Sequence, residues 1–86
     1  MKFVVIWQPK ALEELAAIWL ADADPAAVTA CSHRIDDLLK NDAQNKGESR
    51  DEDERLLFEG ILSAYYRIDL QDQKVFVLEV ARIRRP

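Results

Sequence analysis

The chain of 86 residues is 49% apolar and 33% charged, a composition typical of one small folded domain and not of a disordered segment. Its net charge of −4 argues against a surface devoted to nucleic acid. The single cysteine, Cys31, excludes an internal disulfide and a cysteine pair that could bind a metal. Without a signal peptide or an apolar run of membrane-spanning length, the sequence predicts a cytoplasmic protein with no membrane segment, metal or cofactor.

The first half of the chain predicts one strand and two helices. Residues 2–7 form an apolar run typical of a buried strand, and Pro9 fits the first turn of a helix. An apolar stripe at helical spacing follows, and we expect its residues to be buried: Leu12, Leu15, Ala16 and Trp19. Both tryptophans, Trp7 and Trp19, are expected in the core. Asp24 and Pro25 fit the N-cap and the first position of a second helix. The buried face of that helix is expected to be Val28, Cys31, Ile35 and Leu38.

The second half predicts a polar loop and three strands. Residues 41–54 are polar and lack apolar periodicity, which indicates a solvated loop. Apolar runs near 55–59, 61–69 and 74–83 predict the strands. The element order therefore predicts an α+β fold in a single domain, residues 1–86. Its N-terminal strand and two-helix antiparallel hairpin precede a three-strand antiparallel meander, and the helices pack on one face of the sheet.

The last two strands predict a hairpin whose register follows from its apolar pattern. With Leu70 opposite Lys74, three pairs form the buried face: Ile68 with Phe76, Tyr66 with Leu78, and Ala64 with Val80. The turn is then residues 71–73, with Asp72 or Gln73 in the left-handed conformation. The opposite face becomes the candidate working surface, with Ser63, Tyr65, Arg67 and Asp69 against Ala81, Glu79, Val77 and Val75.

Basic side chains near the C-terminus are the clearest candidates for a functional site. Arg82, Arg84 and Arg85 form a positive patch suited to phosphates or carboxylates. A soluble edge strand, or pairing of these arginines with the acidic residues 51–54, explains the same cluster equally well. Tyr65 faces outward beside Arg67, where it could stack on a base or a partner or pack across the strand pair. The sequence contains no recognisable catalytic motif, so catalytic residues stay unknown and no metal ligands are assigned.

Several short strings of residues, each occurring once, follow one another in a definite order over nearly the whole chain. The first strand leads into W-x-P-K-A-L-x-E-L at residues 7–15, followed by Ile18-Trp19. Arg55-Leu56 then precedes Gly60, and the chain closes with Y-R-I-D at 66–69, V-L-x-V at 77–80 and Arg84-Arg85. In order and spacing these strings resemble the RelE/ParE superfamily of toxins from type II toxin–antitoxin and plasmid-stabilisation systems, with the closer resemblance to ParE.

The resemblance implies the fold of that superfamily and two possible activities. Members resembling RelE cut mRNA on the ribosome, whereas members resembling ParE poison DNA gyrase. Two positions depart from the pattern of the cutters: Ser63 stands where the third strand commonly carries arginine, and Arg82 stands where the last strand commonly carries histidine. An arginine stays protonated near neutral pH and is a poor general acid, so the departures argue against RNA cleavage.

Three hypotheses follow from the resemblance. The first is a ParE-like toxin that binds a target such as DNA gyrase and is neutralised by a cognate antitoxin, a protein–protein interaction. The second is a ribosome-dependent mRNA endonuclease that uses Arg67, Arg82, Arg84 and Arg85 to hold phosphate. The third is a non-toxic, degenerate interaction module of the same fold. A homodimer is a possibility under each of them, because a chain this small buries a small core.

Overall fold

The computed structural model describes residues 2–83 and has the predicted α+β architecture. Strand β1 (Val4–Trp7) leads into helix α1 (Pro9–Ala21) and helix α2 (Pro25–Asp42). A 3₁₀ turn (Ala43–Asn45) and strand β2 (Glu48–Ser49) follow, and then the strands β3 (Glu54–Glu59), β4 (Leu62–Asp69) and β5 (Lys74–Arg82). No helix in this part of the chain is long and apolar enough to cross a membrane.

The strands form one sheet in the order β1-β5-β4-β3-β2. Strands β3, β4 and β5 form the predicted antiparallel meander, whereas β1 pairs in parallel with β5. A parallel neighbour requires a crossover, and the α1–α2 hairpin followed by β2, β3 and β4 supplies it. Both helices pack on one face of the sheet, where their apolar side chains share a core with Ala64, Tyr66 and Val77.

The segment 41–54, predicted as a polar loop, is partly ordered into secondary structure. It contains the end of α2, the 3₁₀ turn and β2, which pairs with β3. Two side chains of the sheet, Tyr66 and Arg55, make hydrogen bonds to the backbone of this turn. The buried Tyr66 hydroxyl lies 2.8 Å from the carbonyl oxygen of Ala43 and 2.7 Å from that of Lys46, and Arg55 donates to the carbonyls of Lys46 and Gly47. These long-range bonds replace the apolar pattern that the segment lacks.

The register of the β4–β5 hairpin differs from the prediction near its turn. Ala64 pairs with Val80 as expected, but Tyr66 pairs with Val77 and Ile68 with Val75. The cause is a β-bulge that leaves Leu78 without a partner of its own and shifts the register by one residue. Val75 and Val77 are therefore buried, and Phe76 points to the other face of the sheet. Gln73 takes the left-handed conformation predicted for the turn, with φ of 53°.

Helix α1 lies along the part of β5 that extends beyond β1. The N–H of Val80 donates to the Glu14 carboxylate over 3.0 Å, and Lys10 bridges Glu14 and Glu79 at 3.1 and 2.9 Å. The hydrogen bonds from Lys10 to Glu79, and then to Glu14, raise the pKa of Lys10. These contacts occupy the edge of β5 just after the bulge, which no strand within residues 2–83 pairs on this side.

The predicted apolar stripe of α1 has the wrong phase. Ala11, Leu15 and Ile18 face the core, whereas Leu12, Ala16 and Trp19 are exposed. Trp7 does pack against the core, so the prediction that both tryptophans fill it is half right. The helix is apolar around more than half of its circumference, and spacing alone does not show which side meets the sheet. The prediction for α2 is confirmed at Val28, Cys31 and Ile35, which are buried, while Leu38 is only partly buried against the core. Asp24 accepts a hydrogen bond from Ala27 as N-cap.

Candidate functional site

The face of the sheet opposite the helices is the candidate functional surface, hereafter the open face. Its residues follow from the strand register, since paired residues project to the same side. One row across the strands contains Ile6, Phe76, Arg67 and Glu54, and the next contains Leu56, Tyr65 and Glu79. Phe58, Ser63 and Ala81 form a third row, and Val4, Lys74 and Asp69 lie at the other end. The surface is apolar and aromatic, and its few charges have both signs.

Tyr65 and Glu54 form a hydrogen-bonded pair on the open face. The Tyr65 hydroxyl donates to the Glu54 carboxylate on the neighbouring strand. This hydrogen bond raises the pKa of Tyr65 to about 12, because ionisation would set two negative charges side by side. The phenol therefore keeps its proton at neutral pH and holds the carboxylate in place. Tyr65 was predicted on this face. Its partner Glu54 lies on β3, and the sequence did not show how β3 pairs with β4.

Arg67 lies over the ring of Phe76, with its guanidinium carbon 4.7 Å from the ring centroid. A guanidinium held over an aromatic ring still has N–H groups along the edge of its plane that can donate hydrogen bonds. Such a group suits a carboxylate or phosphate oxygen. The expected position of Arg67 on the outward face is therefore observed. The sequence placed Phe76 on the buried face, and the bulge is what brings it beneath the arginine.

Arg82 pairs with a residue of the link between α1 and α2 and lies apart from the centre of the open face. Its Nε donates to the Asp22 carboxylate over 2.7 Å, and its Nη1 donates to the carbonyl of Ile83. Asp22 also accepts from the backbone N–H of Asp24, and this bond, followed by the one from Arg82, lowers the pKa of Asp22. Arg82 thus pairs with an acid from the α1–α2 link rather than with the acidic residues 51–54.

The Arg82–Asp22 pair borders a wide groove of about 1020 Å³. Its other walls are small or apolar residues from the end of α1, the β3–β4 turn and the end of β5: Ala17, Ile18, Ala21, Ala23, Gly60, Ile61 and Ile83. The remaining two candidates, Arg84 and Arg85, lie outside the described residues. The structure therefore brings Tyr65 and Arg67 together and sets Arg82 at the far end of β5.

The open face offers several groups that can contact a partner: the Arg67 guanidinium over Phe76, the Tyr65 phenol with its raised pKa, carboxylates and apolar side chains. His33, the only histidine of the chain, is exposed on α2, across the sheet from this surface. Within residues 2–83, no three side chains of His, Cys, Asp or Glu are grouped so that they could hold a metal ion.

Sequence reasoning missed Arg55, whose side chain supports the turn before β2. In the sequence Arg55 was only part of the string Arg55-Leu56 that precedes Gly60, yet its guanidinium donates to the backbone carbonyls of Lys46 and Gly47 at 2.6 and 2.9 Å. Gly47 lies in that turn with φ of 69°, and a Cβ there would lie 2.7 Å from the carbonyl oxygen of Leu56. A polar segment with one glycine was the only available signal, and it did not identify these partners.

Known structures share this fold over almost their whole length. A chain of the RelBE2 toxin–antitoxin complex from Mycobacterium tuberculosis superposes with a TM-score of 0.78 at 20% identity, covering 96% of this chain and 100% of that one. The chromosomal ParDE toxin–antitoxin system of Pseudomonas aeruginosa gives 0.76 at 22% identity, covering 96% and 98%. The isolated RelE toxin of E. coli gives 0.68 at 14% identity, covering 98% and 87%.

These likenesses show that the chain has the RelE/ParE fold, as the order of its sequence strings implied. No protein-family model matches the sequence. A comparison with curated proteins likewise gave no match.

Proposed function

We propose that this protein is the toxin of a type II toxin–antitoxin system and that it acts by binding its target. The observation that carries the proposal is the fold, which matches chains of the RelBE2 and ParDE systems over 96% of this chain. A fold can host several functions, so the choice among them depends on the residues of the candidate surface.

The open face supports binding better than cleavage. RNA cleavage by acid–base chemistry needs a group that gives or takes a proton near neutral pH. On this surface the Tyr65 phenol has its pKa raised to about 12, and Ser63 occupies the position at which the resemblance implies arginine. Arg67 is available for contact, and the apolar side chains around it suit a protein target such as DNA gyrase.

A cognate antitoxin is the expected partner, and the cytoplasm is the compartment in which both would act. The antitoxin is expected because two of the similar structures belong to toxin–antitoxin systems. Two exposed apolar side chains lie on opposite sides of the molecule, Leu20 on α1 and Phe58 on the open face, and each is apolar surface that a binding segment of such a protein would cover. The antitoxin would present an extended helical or strand segment to one of these two surfaces.

Induction of the protein alone tests the proposal. Tightly controlled expression should arrest growth, and co-expression of the antitoxin should restore it. Replacement of Arg84 and Arg85 together by alanine should relieve the arrest, while Arg50→Ala, which removes an exposed loop arginine, should not. Unimpaired growth with verified accumulation of folded protein would favour the degenerate, non-toxic module.

The mode of action separates the two toxic alternatives. A gyrase-directed toxin should cause DNA damage that disappears in cells with a resistant gyrase, while transcripts stay intact. Codon-linked cleavage of mRNA on ribosomes would instead assign the protein to the endonuclease class and contradict action by binding alone.

A further inference from the structure

Arg67 has two cross-strand neighbours on the open face, and its guanidinium stacks on the aromatic one instead of pairing with the acidic one. In the register of the sheet, Phe76 of β5 and Glu54 of β3 both lie opposite Arg67. Side chains at paired positions are close enough to interact, and opposite charges there attract each other. The guanidinium carbon nevertheless lies 4.7 Å from the centroid of the Phe76 ring. The ion pairs within residues 2–83 do not include Arg67.

The carboxylate of Glu54 is held by Tyr65 instead. The Tyr65 side chain projects to the same face as Arg67, two residues earlier on β4, and its hydroxyl donates to the Glu54 carboxylate. A phenol hydroxyl has a single proton to donate, and here that proton is directed at this carboxylate. Because the pKa of Tyr65 is raised to about 12, the donor is present throughout the neutral range. The hydrogen bond therefore keeps Glu54 beside Tyr65.

The second acid in these two rows also has a donor of its own. Glu79 of β5 lies opposite Tyr65, and its carboxylate accepts a hydrogen bond from Lys10 of α1 over 2.9 Å. Both acids beside Tyr65 are thus occupied by side chains other than Arg67. The N–H groups along the edge of the Arg67 guanidinium can therefore receive an anion from another molecule.

The charge of the open face indicates what kind of anion Arg67 would receive. Its rows contain three acids against two cations: Glu54, Glu79 and Asp69 against Arg67 and Lys74. This excess of acids, on a chain with a net charge of −4, opposes the continuous row of phosphates in a nucleic acid. A single carboxylate on a protein meets one guanidinium without that repulsion. The apolar side chains around Arg67 suit the apolar residues of the same protein.

We propose that Tyr65 is a positioning residue, which holds Glu54 so that the Arg67 guanidinium stays available for one acidic side chain of a protein partner. This role rests on the proposed function, in which the open face contacts the target, and it adds the chemistry of that contact. Without the Tyr65 hydroxyl, Glu54 would turn to its cross-strand neighbour and occupy the place of the partner's carboxylate.

NMR of the purified full chain tests this role through the Nε–Hε signal of Arg67. The probe is a blocked peptide with one glutamate flanked by leucines, and the same peptide with glutamine is its control. Tyr65→Phe should move the signal toward that of a paired arginine before any peptide is added. It should also weaken the binding of the glutamate peptide by roughly two- to fivefold, as expected for competition by an exposed ion pair.

A double variant separates positioning from any other effect of the lost hydroxyl. Tyr65→Phe combined with Glu54→Gln should restore the wild-type signal and peptide affinity, because an amide carries no charge to compete for Arg67. Tyr65→Phe combined with Glu52→Gln is the matched control, since it removes an acid from the exposed loop and should restore neither. A Tyr65→Phe signal equal to that of the wild type, or no rescue by Glu54→Gln, would overturn the positioning role.

Two further measurements identify the anion and separate this role from the toxin activity. Equal binding of the glutamate and glutamine peptides, or tighter binding of a short single-stranded RNA than of the glutamate peptide, would overturn the assignment to a protein carboxylate. Growth arrest is scored independently of the NMR results. Arrest by the wild type without the Tyr65→Phe signal shift would remove only the positioning role. The predicted shifts and rescue in a protein that does not arrest growth would support the positioning role and remove only the toxin.

Discussion

Tyr65 and Tyr66 are adjacent in the sequence, but their side chains project to opposite faces of the sheet. Tyr66 is fully buried, and its hydroxyl binds two backbone carbonyls of the turn before β2. Tyr65 lies on the open face, and its hydroxyl binds a single side chain, that of Glu54. The same residue type thus holds the fold together at one position and shapes an accessible surface at the next. Strand alternation places a core side chain and an open-face side chain at a spacing of one residue.

The largest expected effect comes from truncating the two tyrosines in parallel. Tyr66→Ala should lower the free energy of unfolding by about 3–5 kcal/mol, because it leaves a cavity in the core. Tyr65→Ala should cost only a small fraction of that. Urea denaturation followed by circular dichroism measures both. Similar losses of unfolding free energy for the two variants would show that Tyr65 on the open face stabilises the fold as much as Tyr66 does.

Removal of the hydroxyl groups alone gives a smaller contrast. Tyr66→Phe should lower the free energy of unfolding by about 1–3 kcal/mol, since it removes the one O–H that lies between the carbonyls of Ala43 and Lys46. The Lys46 carbonyl still accepts from Arg55, so the Ala43 carbonyl loses most. The turn at residues 43–47 should also exchange its amide hydrogens faster. Tyr65→Phe should leave both properties near their wild-type values. An unchanged exchange pattern in Tyr66→Phe would mean that Arg55 alone holds the turn.

The architecture was predictable because local signals agree with it. Pro9, Asp24 and Pro25 mark the helix starts, and Gln73 takes the left-handed turn position. The bulge at Leu78 was not predictable, because an apolar run such as V-F-V-L fits either register. A pattern of period two shows alternation but does not show where a residue has been inserted.

For the candidate site, the side of the sheet on which a residue lies was predictable, but its partner on another strand was not. Tyr65 and Arg67 follow from the alternation within β4. The partners of these residues, Glu54 and Phe76, depend on registers between strands, and the partner of Arg82 lies 60 residues away at Asp22. Long-range ion pairs on a surface leave no local pattern in a sequence.

The pH dependence of stability should report the Tyr65–Glu54 pair. In the unfolded chain tyrosine ionises near pH 10, whereas the folded pKa of Tyr65 is raised to about 12. The stability contributed by the pair is thus fully present below pH 10 and is lost as the pH rises toward 12. Glu54→Gln should flatten this decline, and NMR titration of labelled tyrosines should then give a lower pKa for Tyr65. The same decline in both proteins would contradict the role of the pair.

The smallest expected effect is at the Asp22–Arg82 pair at the end of β5. Because the pKa of Asp22 is lowered in the folded state, its contribution exists above its ordinary value of 3.8 and is lost as the pH falls below it. Asp22→Asn should therefore reduce thermal stability slightly at neutral pH and leave it unchanged in strong acid. A large loss at neutral pH would show that the pair anchors the end of α1 to β5, although ion pairs with a side chain as accessible as that of Arg82, 41% exposed, seldom contribute much.

Growth after induction of an open-face variant tests the central claim most directly. We propose that the protein arrests growth by contact through the open face around Arg67. Wild-type protein and Arg50→Gln should both stop growth, and Arg67→Gln should restore it while the protein remains folded and abundant. Continued growth with the wild-type protein, or full arrest with Arg67→Gln, would contradict the account.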